Sequence, residues 1–89
     1  MLDISHDIRA HRLSIQLEGR TALLDYQLDR NVMKITHTRV PREIGGRGVA
    51  AELMRGALKI AAEHGWTVLP VCSYAVAFMN RQPPQANDA

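Results

Sequence analysis

The chain has one cysteine in 89 residues, which excludes an internal disulfide framework and fits a reducing compartment. It has no apolar run of about twenty residues, and its opening, Met1-Leu2-Asp3-Ile4-Ser5-His6-Asp7, is too polar for a secretory leader. A soluble cytoplasmic protein is the default expectation. Charge of one sign is also scarce. The formal net charge is +2 and the arginines are scattered, so nucleic-acid binding is permitted without being indicated. No histidine pair has ligand spacing with Cys72, so no metal site is expected. Internal repeats and interior linkers are absent. Aromatic residues are only 4% of the chain, and Trp66 and Phe78 are expected as core anchors.

What is present suits one small domain. Apolar residues make up 46% and charged residues 22%, the balance of a folded chain. At this length a core must be economical or shared with a second copy. Residues 1–9 show no period and read as a lead-in. From His11 to Glu18, Leu13, Ile15 and Leu17 alternate with polar residues, which predicts a half-buried strand. Thr21–Leu28 predicts a second, with Ala22, Leu24, Tyr26 and Leu28 inward, and Asp29-Arg30-Asn31 a hairpin turn. Val32–Val40 is rich in β-branched residues and ends at Pro41.

The period then changes. Val49, Leu53, Ala57, Ile60, Ala61 and His64 form a helical stripe, and His64-Gly65 supplies the stop. Thr67–Val71 is a short apolar strand, able to lie parallel to the third in a right-handed crossover. Ser73 is placed to cap a second helix over Tyr74–Arg81. Residues 82–89 read as a loose tail. The expected order is β-β-β-α-β-α, an α/β (α+β) fold in which antiparallel strands precede one parallel pair.

Three features carry chemistry. Between strand and helix lies Gly45-Gly46-Arg47-Gly48, neither a Walker A loop nor a dinucleotide fingerprint. Its glycines let backbone approach a ligand, and the free N–H groups of the helix start favour an anion. This reads as a pyrophosphate cradle; a permissive turn before a helix is the plainer alternative. Cys72 follows a buried strand and precedes a helix, where the positive helix end favours a nucleophilic sulfur, although a lone cysteine often only fills space. His37 shares a strand face with Met33, Ile35 and Arg39 by simple alternation. If the last two strands are parallel neighbours, His37 and Cys72 both approach the edge where open α/β sheets bind ligands.

Three stretches together, His37-Thr38-Arg39-Val40-Pro41, Gly45-Gly46-Arg47-Gly48-Val49-Ala50 and Pro70-Val71-Cys72-Ser73-Tyr74, resemble the small single-domain GNAT-type N-acetyltransferase-like proteins (the YjdJ-type group). Leu24-Asp25-Tyr26 fits the same group. The resemblance implies a minimal GNAT-like fold that binds acetyl-CoA between two diverging parallel strands. Carried onto this chain, Val40 would offer backbone hydrogen bonds to pantetheine. Gly45, Gly46, Arg47, Gly48, Val49 and Ala50 would form the phosphate cradle, and Cys72 and His37 the catalytic pair. Three differences stand out. Gly45 occupies the place where the general signature has Gln or Arg. The extra helices and final strands that wall the acceptor site in longer relatives are missing, a wall that a homodimer could supply. The ending Arg81-Gln82-Pro83-Pro84 departs from the group's His-Pro-acidic-aromatic pattern.

The expected function is therefore an acetyl-CoA-dependent N-acyltransferase acting on an unidentified amine. The alternatives are a non-catalytic CoA or acyl-CoA-binding module, which needs the turn but neither Cys72 nor His37, and a basic protein whose turn contacts nucleic-acid phosphate.

Overall fold

Strict alternation dominates the first half of the chain, and the computed structural model, which describes residues 2–81, turns it into antiparallel strands. These are β1 (Ile4–Asp7), β2 (Arg12–Leu17), β3 (Arg20–Asp29) and β4 (Val32–Arg39), each paired with the next. Leu13 lies opposite Leu24, Ile15 opposite Ala22 and Tyr26 opposite Ile35, so alternate apolar residues share one face. Those side chains are all buried. The other face carries Ser14, Gln16, Asp25, Gln27 and Lys34, the one-sided wetting that antiparallel sheets allow.

The expected lead-in contains a strand. Ile4 and His6 turn inward in β1 while Ser5 and Asp7 stay exposed. Four residues are too few for a periodic signal to stand out, so the order opens with four strands rather than three.

Helix α1 (Val49–His64) packs Val49, Leu53, Met54, Ala57 and Ala61 into the core. Ile60 is half-buried and His64 exposed, so the stripe is rotated slightly toward Met54 relative to expectation. Gly56 faces β1: a methyl there would come within 2.7 Å of Ile4 Cδ1. At the helix end, the Trp66 N–H donates to the Ala61 carbonyl at 2.8 Å, and His64 Nδ1–H donates to the Ile60 carbonyl at 2.9 Å. The stop is where the sequence puts it.

Strand β5 (Thr67–Pro70) pairs parallel to β4, from Val32 opposite Thr67 to Ile35 opposite Pro70. Helix α2 (Ser73–Arg81) adds Ala75 and Phe78 to the same core. The tail expected at 82–89 lies outside the described residues. Among the described residues no helix is long and apolar enough to cross a membrane.

Tyr26 is the one phenol in the core, and its polar end needs a partner. It shares a 2.6 Å hydrogen bond with His6 Nε2, while the His11 ring stacks on it at a centroid distance of 5.0 Å. Burial pushes the Tyr26 hydroxyl pKa up. Burial, helped by the nearby His64, holds His6 below the usual histidine range, with Asp7 opposing. Because the folded state resists protonation more than the unfolded chain does, His6 costs no stability above its unfolded pKa. Stability is then lost as pH falls from about 6.5 toward the folded value. Denaturant titrations across that range should show the decline, and His6→Gln should flatten it. An unchanged slope in the variant would remove His6 as the cause.

Candidate active site

The parallel pairing of β4 and β5 stops at Ile35 and Pro70, but β4 continues to Arg39. At that point the Ile35 carbonyl accepts from two N–H groups, Val71 at 2.9 Å and Cys72 at 3.0 Å. The chain then turns into α2. Beyond Ile35, β4 keeps β3 on one side and has no strand on the other. The backbone of Thr36–Val40 therefore borders a gap between diverging strands, with unpaired polar groups available to an extended ligand.

The register between β3 and β4 shifts at the same place. Asp25 lies opposite His37 but Tyr26 lies opposite Ile35, so Thr36 is an extra residue. The Thr36 hydroxyl donates to the Asp25 carbonyl at 3.3 Å, fixing the bulge. Its consequence corrects the alternation expected from sequence. Thr38, opposite the buried Leu24, turns toward the covered face. His37, opposite Asp25, turns to the open face and is exposed. His37 therefore does not share a face with Met33 and Ile35.

Cys72 is half-buried on the covered side. Its Sγ lies 3.5 Å from Thr38 Oγ1 and accepts the Ala75 N–H at 3.4 Å, while its carbonyl takes the Val76 N–H at 3.0 Å. Cys72, rather than Ser73, is thus the capping residue of α2. Thr38 is the side chain that sequence reasoning missed beside the sulfur. No hydrogen bond joins Cys72 to His37 among the described residues; the two flank the gap from opposite faces of the sheet.

A 3₁₀ turn at Arg42–Ile44 leads into the Gly-rich segment. Ile44 and Val49 are buried on either side of it, whereas Gly45, Gly46, Arg47 and Gly48 are exposed. The Gly45 N–H is already used, donating to the Arg42 carbonyl at 3.1 Å. The first α-helical bond runs from the Glu52 N–H to the Gly48 carbonyl at 3.0 Å, and no side chain caps the helix. Among the described residues, the N–H groups from Gly46 to Ala51 have no protein acceptor. They open at the C-terminal end of β4, the same end as the gap. Val49 can offer only its backbone, since its side chain is in the core.

Arg47 is not idle. Its guanidinium donates to Glu18, in the turn between β2 and β3. That hydrogen bond, with the accompanying charge attraction, holds Glu18 below the usual carboxylate range and raises Arg47. A second pair links the same two segments with opposite polarity, Arg20 to Glu43 at 3.6 Å. The site is an open groove, with no enclosed pocket among the described residues. Those residues also hold no group of three or more His, Cys, Asp or Glu side chains able to bind a metal ion.

Comparison with known proteins decides the family. The profile of the GCN5-related N-acetyl-transferase family matches residues 12–89. This chain belongs to that family. Protein NATD1 from Bos taurus is 29% identical over 83 residues, covering 90% of this chain and 74% of that protein. Protein NATD1 from Homo sapiens is 28% identical with the same coverage. A GCN5-like protein from Staphylococcus aureus, solved by NMR in solution, superposes with a TM-score of 0.71 at 28% identity, covering 90% of this chain and 79% of that one. The GCN5-related acetyltransferase fold here comprises a five-stranded sheet, a parallel final pair and two helices on one core.

Gly48 tests how the helix start is built. It holds φ 75°, and a Cβ there would meet no atom within 4 Å, so substitution is limited by backbone conformation alone. Gly48→Ala should cost about 1–2 kcal/mol, and Gly48→Asn less, because Asn tolerates the left-handed region. Chemical denaturation would measure both; alanine matching or bettering asparagine would contradict the left-handed cap.

Proposed function

We propose that this family member is an acetyl-CoA-dependent N-acetyltransferase that acts by direct transfer to an amine. The observation that supports it most is the meeting, at one sheet end, of an unpaired β4 edge and a row of partnerless N–H groups. An extended thioester-bearing nucleotide needs both. Acetyl-CoA would supply the activated acetyl group.

The Val40 backbone would hold the pantetheine arm, and the N–H groups from Gly46 through Ala50 the diphosphate, with Arg47 adding charge. Gly45 would shape the turn, its own N–H being engaged. His37 would take the proton of an amine arriving over the open face. Cys72, reaching the gap from the covered side, would give its proton to the departing CoA sulfur. As the amine nitrogen bonds the carbonyl carbon, the carbon–sulfur bond breaks, so both protons are accounted for. A covalent route would need a base beside Cys72. Its immediate neighbours are instead the Thr38 hydroxyl and the Ala75 N–H.

Calorimetry with CoA, then acetylation assays over an amine panel, tests this. Wild type should bind CoA and turn over. His37→Ala should lose about 10²–10⁴-fold in kcat/KM. Intact mass after incubation with acetyl-CoA should show no kinetically competent acetyl group on Cys72. Such an adduct would replace direct transfer by the acyl-enzyme route, and binding without turnover would leave a CoA-binding module.

A further inference from the structure

The phosphate reading of the Gly-rich turn leaves one contact unexplained. The arginine best placed to meet a phosphate is occupied by a carboxylate from a distant turn. Glu18 and Gly19 are both left-handed, at φ 53° and 74°, which makes the tight β2–β3 reversal that carries Glu18 to Arg47. The Arg20–Glu43 pair ties the same hairpin tip to the segment just before the glycines. The tip is therefore cross-linked to the turn on both flanks.

We infer that Glu18 tempers the affinity of the phosphate subsite: it holds Arg47 in the free protein and yields it to the ligand's phosphate. This rests on the turn being the phosphate cradle. Both side chains are exposed, at 46% for Arg47 and 57% for Glu18, so the pair is weak enough to be exchanged. A phosphate offers Arg47 a more highly charged acceptor than one carboxylate does. A neutral thiol ligand without phosphate offers none, and so leaves the pair intact. Glu18 thereby weakens the binding of phosphorylated ligands alone, since only they must break the pair.

Calorimetry with CoA and with pantetheine, on wild type, Glu18→Gln, Arg47→Gln and the double variant, tests it. Glu18→Gln should bind CoA about two- to fivefold more tightly. Pantetheine affinity should not move. In the Arg47→Gln background the gain from Glu18→Gln should vanish, because the effect passes through the guanidinium. A gain that persists there would make Glu18 a general field effect and overturn the inference. No gain at all would do the same while leaving the phosphate cradle standing. Failure of wild type to bind CoA, or CoA binding no tighter than pantetheine, would remove the cradle and the inference together.

Discussion

One carbonyl oxygen organises the site. Ile35 accepts from both Val71 and Cys72, and by taking two donors at once it ends the parallel ladder. A ladder that continued would pair the rest of β4 and close the gap. The doubled acceptor turns β5 aside, and β4 runs on alone with its outer edge bare. The Thr36 bulge falls immediately after Ile35, so pairing on one side of β4 and register on the other change within one residue. The same short stretch therefore opens the groove, sends Thr38 toward the sulfur and sends His37 to the other face.

The surrounding core makes such a discontinuity tolerable. Ile35 and Leu24 are fully buried, as are Ile44 and, nearly so, Val49. An exposed, glycine-rich turn is thus held at both ends by apolar side chains, each worth about 1.5–3 kcal/mol of burial. Order in the turn comes from its two anchors rather than from contacts of its own. Helix α1 begins on Gly48 without a side-chain cap, which leaves its first N–H groups exposed at a cost in stability. Sites that give up a cap or a ladder bond this way are expected where a ligand completes the hydrogen bonding.

Most of the frame was legible in the sequence because it follows from periodicity. Leu13, Ile15, Ala22 and Leu24 alternate into the core as counted, and the helix from Val49 to His64 has the bounds its stripe and glycines imply. His37 was misplaced by the same counting. Period two carries a face assignment forward only until an extra residue intervenes, and Thr36 has no local signature of a bulge. β1 was missed because an edge strand of four residues needs only two inward side chains, Ile4 and His6. Ser73 looked like the cap by residue type, but the fork at Ile35 sets the chain one residue earlier, and Cys72 sulfur takes the role. The Glu18–Arg47 pair joins residues far apart in sequence and was invisible before the hairpin tip and the turn were brought together.

The last strand is also one of the sheet's two free borders. β5 is four residues long, carries the exposed Leu69, is followed at once by the exposed Val71, and ends in a proline that can donate to no neighbour. A bare, apolar border would ordinarily invite another chain to extend the sheet, yet here the run is short, interrupted by Pro70 and bent away at once. The departure that bares the β4 edge thus also blunts intermolecular zippering, so that resistance to fibre growth and access to the proposed ligand site descend from one kink in the backbone.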